Sequence, residues 1–83
     1  MVSVDPTPNP NALKFTVGKP VGGPSTFVAG KETDDPLALG LLALDGVTSV
    51  FLTADFVTVS KSADASWDGI ADAAAALIGD HFD

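Results

Sequence analysis

Hydrophobic residues fall on two periods in this chain. Leu13, Phe15 and Val17 alternate with Lys14 and Thr16, the period-two pattern of a half-buried strand, which predicts a strand over 12–17. Gly18 to Ser25 is rich in glycine and proline and reads as a turn. Thr26-Phe27-Val28-Ala29 then predicts a short strand returning beside the first. Asp35-Pro36 has the form of an N-cap followed by proline at the first helical position, where the missing amide costs nothing. Leu37, Leu39, Leu41, Leu42 and Leu44 make the following helix apolar nearly all round, so it is expected to be buried, with Gly46 as its left-handed cap.

From Val47 to Lys61 two β-rich runs flank Thr53-Ala54-Asp55, which predicts a hairpin. Trp67, Ile70, Ala74, Leu77, Ile78 and Phe82 recur at helical spacing, and Asp68, Asp72 and Asp80 stay largely off that stripe. This predicts an amphipathic helix over about 67–82 with Ser66 as N-cap. Ahead of the first strand, Pro6, Pro8 and Pro10 alternate with Thr7, Asn9 and Asn11. Each proline removes an amide donor and biases its predecessor toward extended backbone, giving a stiff lead-in. The expected order is β-β-α-β-β-α, an α+β fold with an antiparallel sheet and both helices packed on one face.

Length and composition narrow the function classes. With 83 residues, 46% hydrophobic and 18% charged, the chain is expected to form one domain over 1–83 rather than stay disordered. Four Lys and Arg together against eleven Asp and Glu leave a net charge of −7, which repels phosphate backbones and anionic lipid surfaces. Neither nucleic acid nor membrane is an expected partner. Met1-Val2-Ser3-Val4-Asp5 has neither a basic nor an apolar leader region, so the expected location is cytoplasmic. The chain has no cysteine, which removes disulfides and thiolate metal sites from consideration.

Two runs carry a specific likeness. Thr7-Pro8-Asn9-Pro10-Asn11-Ala12-Leu13-Lys14-Phe15 closely resembles the opening motif of the N-terminal domain of the Nfu/NifU-type iron-sulfur scaffold family. Asp45-Gly46-Val47, continuing through Val50-Phe51 to Asp55-Phe56-Val57-Thr58-Val59-Ser60-Lys61, is similar to that family's helix-exit and hairpin signature, and Trp67 stands where the family tends to place one. Full-length members add a domain whose Cys-x-x-Cys pair supplies cluster thiolates. With zero cysteines here, those ligands have no counterpart to carry over. The resemblance therefore implies a non-catalytic accessory or adaptor domain with no cofactor of its own, contacting an iron-sulfur scaffold or client protein in trans. It does not fix the oligomeric state.

The candidate contact residues are Pro8, Asn9, Pro10 and Asn11, a stiff run with amide donors and acceptors, and Asp55 and Phe56 at the hairpin tip. Architectural readings compete at each: asparagine satisfies nearby backbone in turns, and aspartate is an ordinary hairpin residue. Trp67 reads as a core anchor on the face of Ile70 and Ala74. No catalytic or metal residue is expected. His81, the single histidine, lies beside Asp80 and close to Asp83 near the chain end, without the three or four convergent ligands of a tight site. Gly18 to Ser25 lacks the phosphate-loop order, and Asp34-Asp35 reads as a helix N-terminus. Two other readings stay open: a stand-alone regulatory or structural domain, for which an edge strand offers a route to a homodimer, and a weak carboxylate-based iron binder.

Overall fold

A computed structural model describes residues 2–82. It shows the α+β fold with one strand more than the hydrophobic pattern predicts. The elements are β1 (Ser3–Pro6), β2 (Ala12–Thr16), β3 (Ser25–Val28), α1 (Pro36–Leu42), β4 (Val47–Thr53), β5 (Phe56–Lys61) and α2 (Ile70–Phe82). The strands form one antiparallel sheet in the order β1-β2-β5-β4-β3.

Register explains which side chains go inward. Val4, Phe15, Val57 and Leu52 lie opposite one another across four strands, as do Leu13, Val59, Val50 and Phe27. These rows share the face that packs against Leu37, Leu41, Ala74 and Ile78 of the helices. Phe15, Val50, Val57, Val59, Leu41 and Ile78 are fully buried, and this cluster is the core. One register shift serves the same end: Val47 pairs with Lys61 and Ser49 with Ser60, so Thr48 is an extra residue. The bulge returns Val47 to the inner face, where it is buried with Val50 and Leu52.

The opposite sheet face carries the row Asp5, Lys14, Thr58, Phe51 and Thr26. Lys14 Nζ lies 4.5 Å from the ring centroid of Phe56 on this face, a cation–π contact.

Several expectations need correction. β1 is not among the expected strands: it overlaps only the start of the run read as a lead-in, and a four-residue edge strand ending in proline has almost no period to detect. The strand near Thr26 does not return beside β2. It pairs with β4 at the far edge, because the glycine-proline segment crosses the end of the sheet rather than closing a hairpin. Helix α2 starts at Ile70 and not Trp67, since Gly69 sits at φ +82 and interrupts helical backbone there. Ser66 Oγ accordingly accepts from Asp68 N at 3.1 Å in a turn, ahead of the helix proper.

Helix α1 ends at Leu42 with Ala43 as C-cap, so Gly46, at φ +98, shapes the turn into β4 instead of capping the helix. A Cβ on Gly46 would stand 2.7 Å from Ala65 Cβ, so close packing as well as backbone angle asks for glycine. The N-cap is as expected: Asp35 Oδ1 accepts from Leu37 N and Ala38 N, each at 3.0 Å. Leu39 on the same helix is 51% exposed, so α1 is not buried all round.

Candidate functional site

The β1–β2 connection is built by side chains that pair the backbone groups between its prolines. Pro8 and Pro10 have no N–H, which leaves Asn9 and Asn11 to organise the turn. Asn9 N donates to Thr7 Oγ1 at 3.1 Å, and Asn11 N donates to Asn9 Oδ1 at 2.9 Å. Thr7 Oγ1 has Asn9 O at 2.9 Å and Ala12 O at 3.0 Å within reach of its single proton. Ala12 N closes the turn on Asn9 O at 3.0 Å. Such short-range bonds fix a loop before any partner arrives.

Two residues distant in sequence then tie the loop to the body. Trp67 Nε1 donates to Pro10 O at 3.1 Å across 57 positions of sequence. Lys61, at the end of β5, donates through its backbone N to Asn11 O at 2.8 Å. Its ammonium donates to Asn11 Oδ1 at 3.0 Å and Ser62 O at 3.3 Å. It also lies 5.7 Å from the Trp67 ring centroid. Trp67 is half-buried and packs on the margin of the core, so the anchoring role expected of it holds for its ring while its polar edge serves the loop. Pro8, Asn9 and Pro10 are exposed and Asn11 is half-buried.

Asp55 and Phe56 are elsewhere. Ala12 pairs with Ser60 and Thr16 with Phe56, so the loop and the hairpin tip occupy opposite ends of β2, about 14 Å apart along the strand. The structure does not bring the six candidate residues into one site. At the tip the main chain does the bonding: Val17 N and Gly18 N donate to Asp55 O at 2.8 and 3.3 Å, and Val21 N donates to Ala54 O at 2.9 Å. Asp55 is exposed, and the Phe56 ring is covered by Lys14.

Lys61 belongs to the loop's support and is not evident from sequence, because a lysine closing a strand reads as a solvated end. The available signal was Trp67 itself, whose N–H needs an acceptor, beside a loop whose prolines leave carbonyls without competing local amides.

The remaining candidates stay apart from this site. His81 stacks edge-on to Phe82 with ring centroids 4.8 Å apart, and Asp83 lies outside the described residues. Lys19 in the glycine-rich segment donates to Phe82 O at 3.1 Å. An open hollow of about 690 Å³ is bordered by Leu44, Asp45, Asp64, Asp68 and Ile70. Among the described residues, no group of three or more His, Cys, Asp or Glu side chains is placed to hold a metal ion. With no cysteine in the chain, this donor set does not fit an iron-sulfur cluster.

Comparison with known proteins supplies the wider setting. A family model described as the N-terminal domain of the Nfu/NifU scaffold protein matches residues 2–83. NifU-like protein 5, mitochondrial, of Arabidopsis thaliana is 44% identical over 70 residues, spanning 81% of this chain and 26% of that protein. The NFU1 iron-sulfur cluster scaffold homolog, mitochondrial, of Drosophila ananassae is 39% identical over 85 residues, spanning 98% of this chain and 30% of that protein. The chain thus spans roughly a quarter to three-tenths of the length of these relatives. Protein SAV1430 from Staphylococcus aureus, in its crystal structure, superposes with a TM-score of 0.79 at 28% identity, covering 93% of this chain and 96% of that one.

Proposed function

Because this chain belongs to the Nfu/NifU N-terminal scaffold family, we propose that it is a non-catalytic accessory module of iron-sulfur cluster assembly. It works by contact with a scaffold or client protein through the end formed by Thr7–Asn11, Lys61 and Trp67. The cluster is cargo held by the partner, since this chain offers no thiolate to take it. The observation that supports this reading is the Trp67 Nε1 to Pro10 O bond, which holds an exposed loop in one shape. A loop already ordered in the free protein loses little entropy on docking, so more of its contact energy appears as affinity.

The acidic surface keeps the module away from nucleic acid, and no described helix is long and apolar enough to cross a membrane. NifU-like protein 5 of Arabidopsis thaliana and the NFU1 homolog of Drosophila ananassae are mitochondrial proteins. A cytoplasmic location for this chain is part of the proposal, and cell fractionation tests it.

The direct test is affinity capture from the native cell with the folded domain as bait, beside a Trp67→Ala bait whose fold is checked by circular dichroism. The expected result is recovery of an iron-sulfur assembly or client protein by the wild-type bait, with several-fold less on the variant. Recovery of no such protein above background would overturn the proposal.

A further inference from the structure

The contact reading leaves the chemistry of the partner open, and the direction of each hydrogen bond at the loop narrows it. The Asn11 backbone N–H needs an oxygen, so the Asn9 amide presents Oδ1 to it at 2.9 Å and turns Nδ2 away. The Lys61 ammonium has no lone pair, so the Asn11 amide likewise meets it with Oδ1 at 3.0 Å and turns its own Nδ2 away. The carbonyls of Asn9, Pro10 and Asn11 accept from Ala12 N, Trp67 Nε1 and Lys61 N, and Thr7 Oγ1 accepts from Asn9 N. The acceptors of this end are therefore largely consumed inside the domain. Among the described residues, no protein acceptor meets either Asn Nδ2, and Lys61 bonds two acceptors with three N–H groups. What remains is chiefly donors, the Asn9 amide on an exposed residue and the Asn11 amide and Lys61 ammonium on half-buried ones, on a chain whose net charge is −7.

We propose that this end is a receptor for a single carboxylate, an Asp or Glu side chain, carried on an otherwise neutral and partly apolar segment of a partner protein. This rests on the contact reading above. A carboxylate only accepts, so it matches a surface with more unpaired donors than acceptors, and its bonds to an ammonium and amides are charge-assisted. The exposed prolines and the half-buried Trp67 ring supply apolar surface for the residues beside it. A polyanion is disfavoured by the summed field, whereas a lone carboxylate is governed by the local donors within a screening length of about 8 Å.

The test uses the isotope-labelled domain and two capped peptides, acetyl-Gly-Leu-Glu-Leu-Gly-amide and its glutamine counterpart, followed by NMR. The expected result is saturable shifts of the Asn9 and Asn11 side-chain amides and the Trp67 indole N–H, with the glutamine peptide about tenfold weaker. Asn9→Asp retains the inward Oδ1 and replaces only the outward NH2 by an oxygen. It should leave the backbone amide spectrum in place and weaken the glutamate peptide about tenfold, with less loss for glutamine. Equal affinities for the two peptides, or no saturable shift at those three groups, would overturn the inference. If the wild-type bait still recovers iron-sulfur proteins in that case, the contact reading stands and only its carboxylate chemistry falls. Carboxylate-dependent shifts with no such protein recovered would overturn the contact reading instead.

Discussion

The two ends of β2 are held by different parts of the chain. At the Ala12 end, side chains of Thr7, Asn9, Asn11, Lys61 and Trp67 hold the loop, two of them reaching in from more than 45 positions away. At the Thr16 end, the bonds that fix the Ala54-Asp55 turn come from main-chain carbonyls. The difference separates residue identity from residue position. Side-chain substitutions should be felt at the first end. The second should tolerate most of them provided the backbone keeps its angles.

The strongest test of this contrast lies between the two ends. Phe15 is fully buried within β2, and Phe15→Ala should cost about 3–5 kcal/mol in chemical denaturation. Both ends should loosen together in hydrogen exchange, and a cost under about 1 kcal/mol would show that β2 does not couple them. Next in size, Trp67→Phe removes the indole donor and keeps most of the ring, and should cost about 0.5–1.5 kcal/mol. Faster exchange should then appear at Asn11 and Ala12 and not at Val17 or Gly18, whose amides bond Asp55 O.

At the other end the sign reverses. Ala54 holds φ +51, a left-handed conformation that costs an alanine about 1–2 kcal/mol, so Ala54→Gly should raise stability by about 0.5–1 kcal/mol after glycine's own entropy loss. A melting temperature that falls would mean the turn is not strained. The smallest effect is at Asp55, whose structural bonds are main-chain. Asp55→Asn should change stability by less than about 0.5 kcal/mol in the same denaturation experiment.

Much of the fold was legible because burial imposes a period. Leu13, Phe15, Val57 and Val59 alternate with polar residues, and the Asp35-Pro36 cap has a local cause. What escaped was set by tertiary pairing. β1 is an exposed edge strand with no alternation to read, and β3 finds β4 across a crossing segment that resembles a simple turn. The site was half legible for the same reason. Pro8 to Asn11 announce a stiff loop through their own chemistry, while Lys61 and the Trp67 N–H acquire roles only once β5 and the turn before α2 stand beside it. Asp55 and Phe56 are candidates as a hairpin tip, and the antiparallel register of β2 and β5 sets that tip apart from the loop.

One measurement tests the contrast and the proposed role together. A photo-crosslinking residue placed at Pro8 in one strain and at Asp55 in another puts the same probe at both exposed ends of β2 in the living cell. Crosslinks to an iron-sulfur assembly or client protein should form from Pro8 and not from Asp55. Crosslinks to such a protein from Asp55 alone, or equally from both positions, would contradict the account.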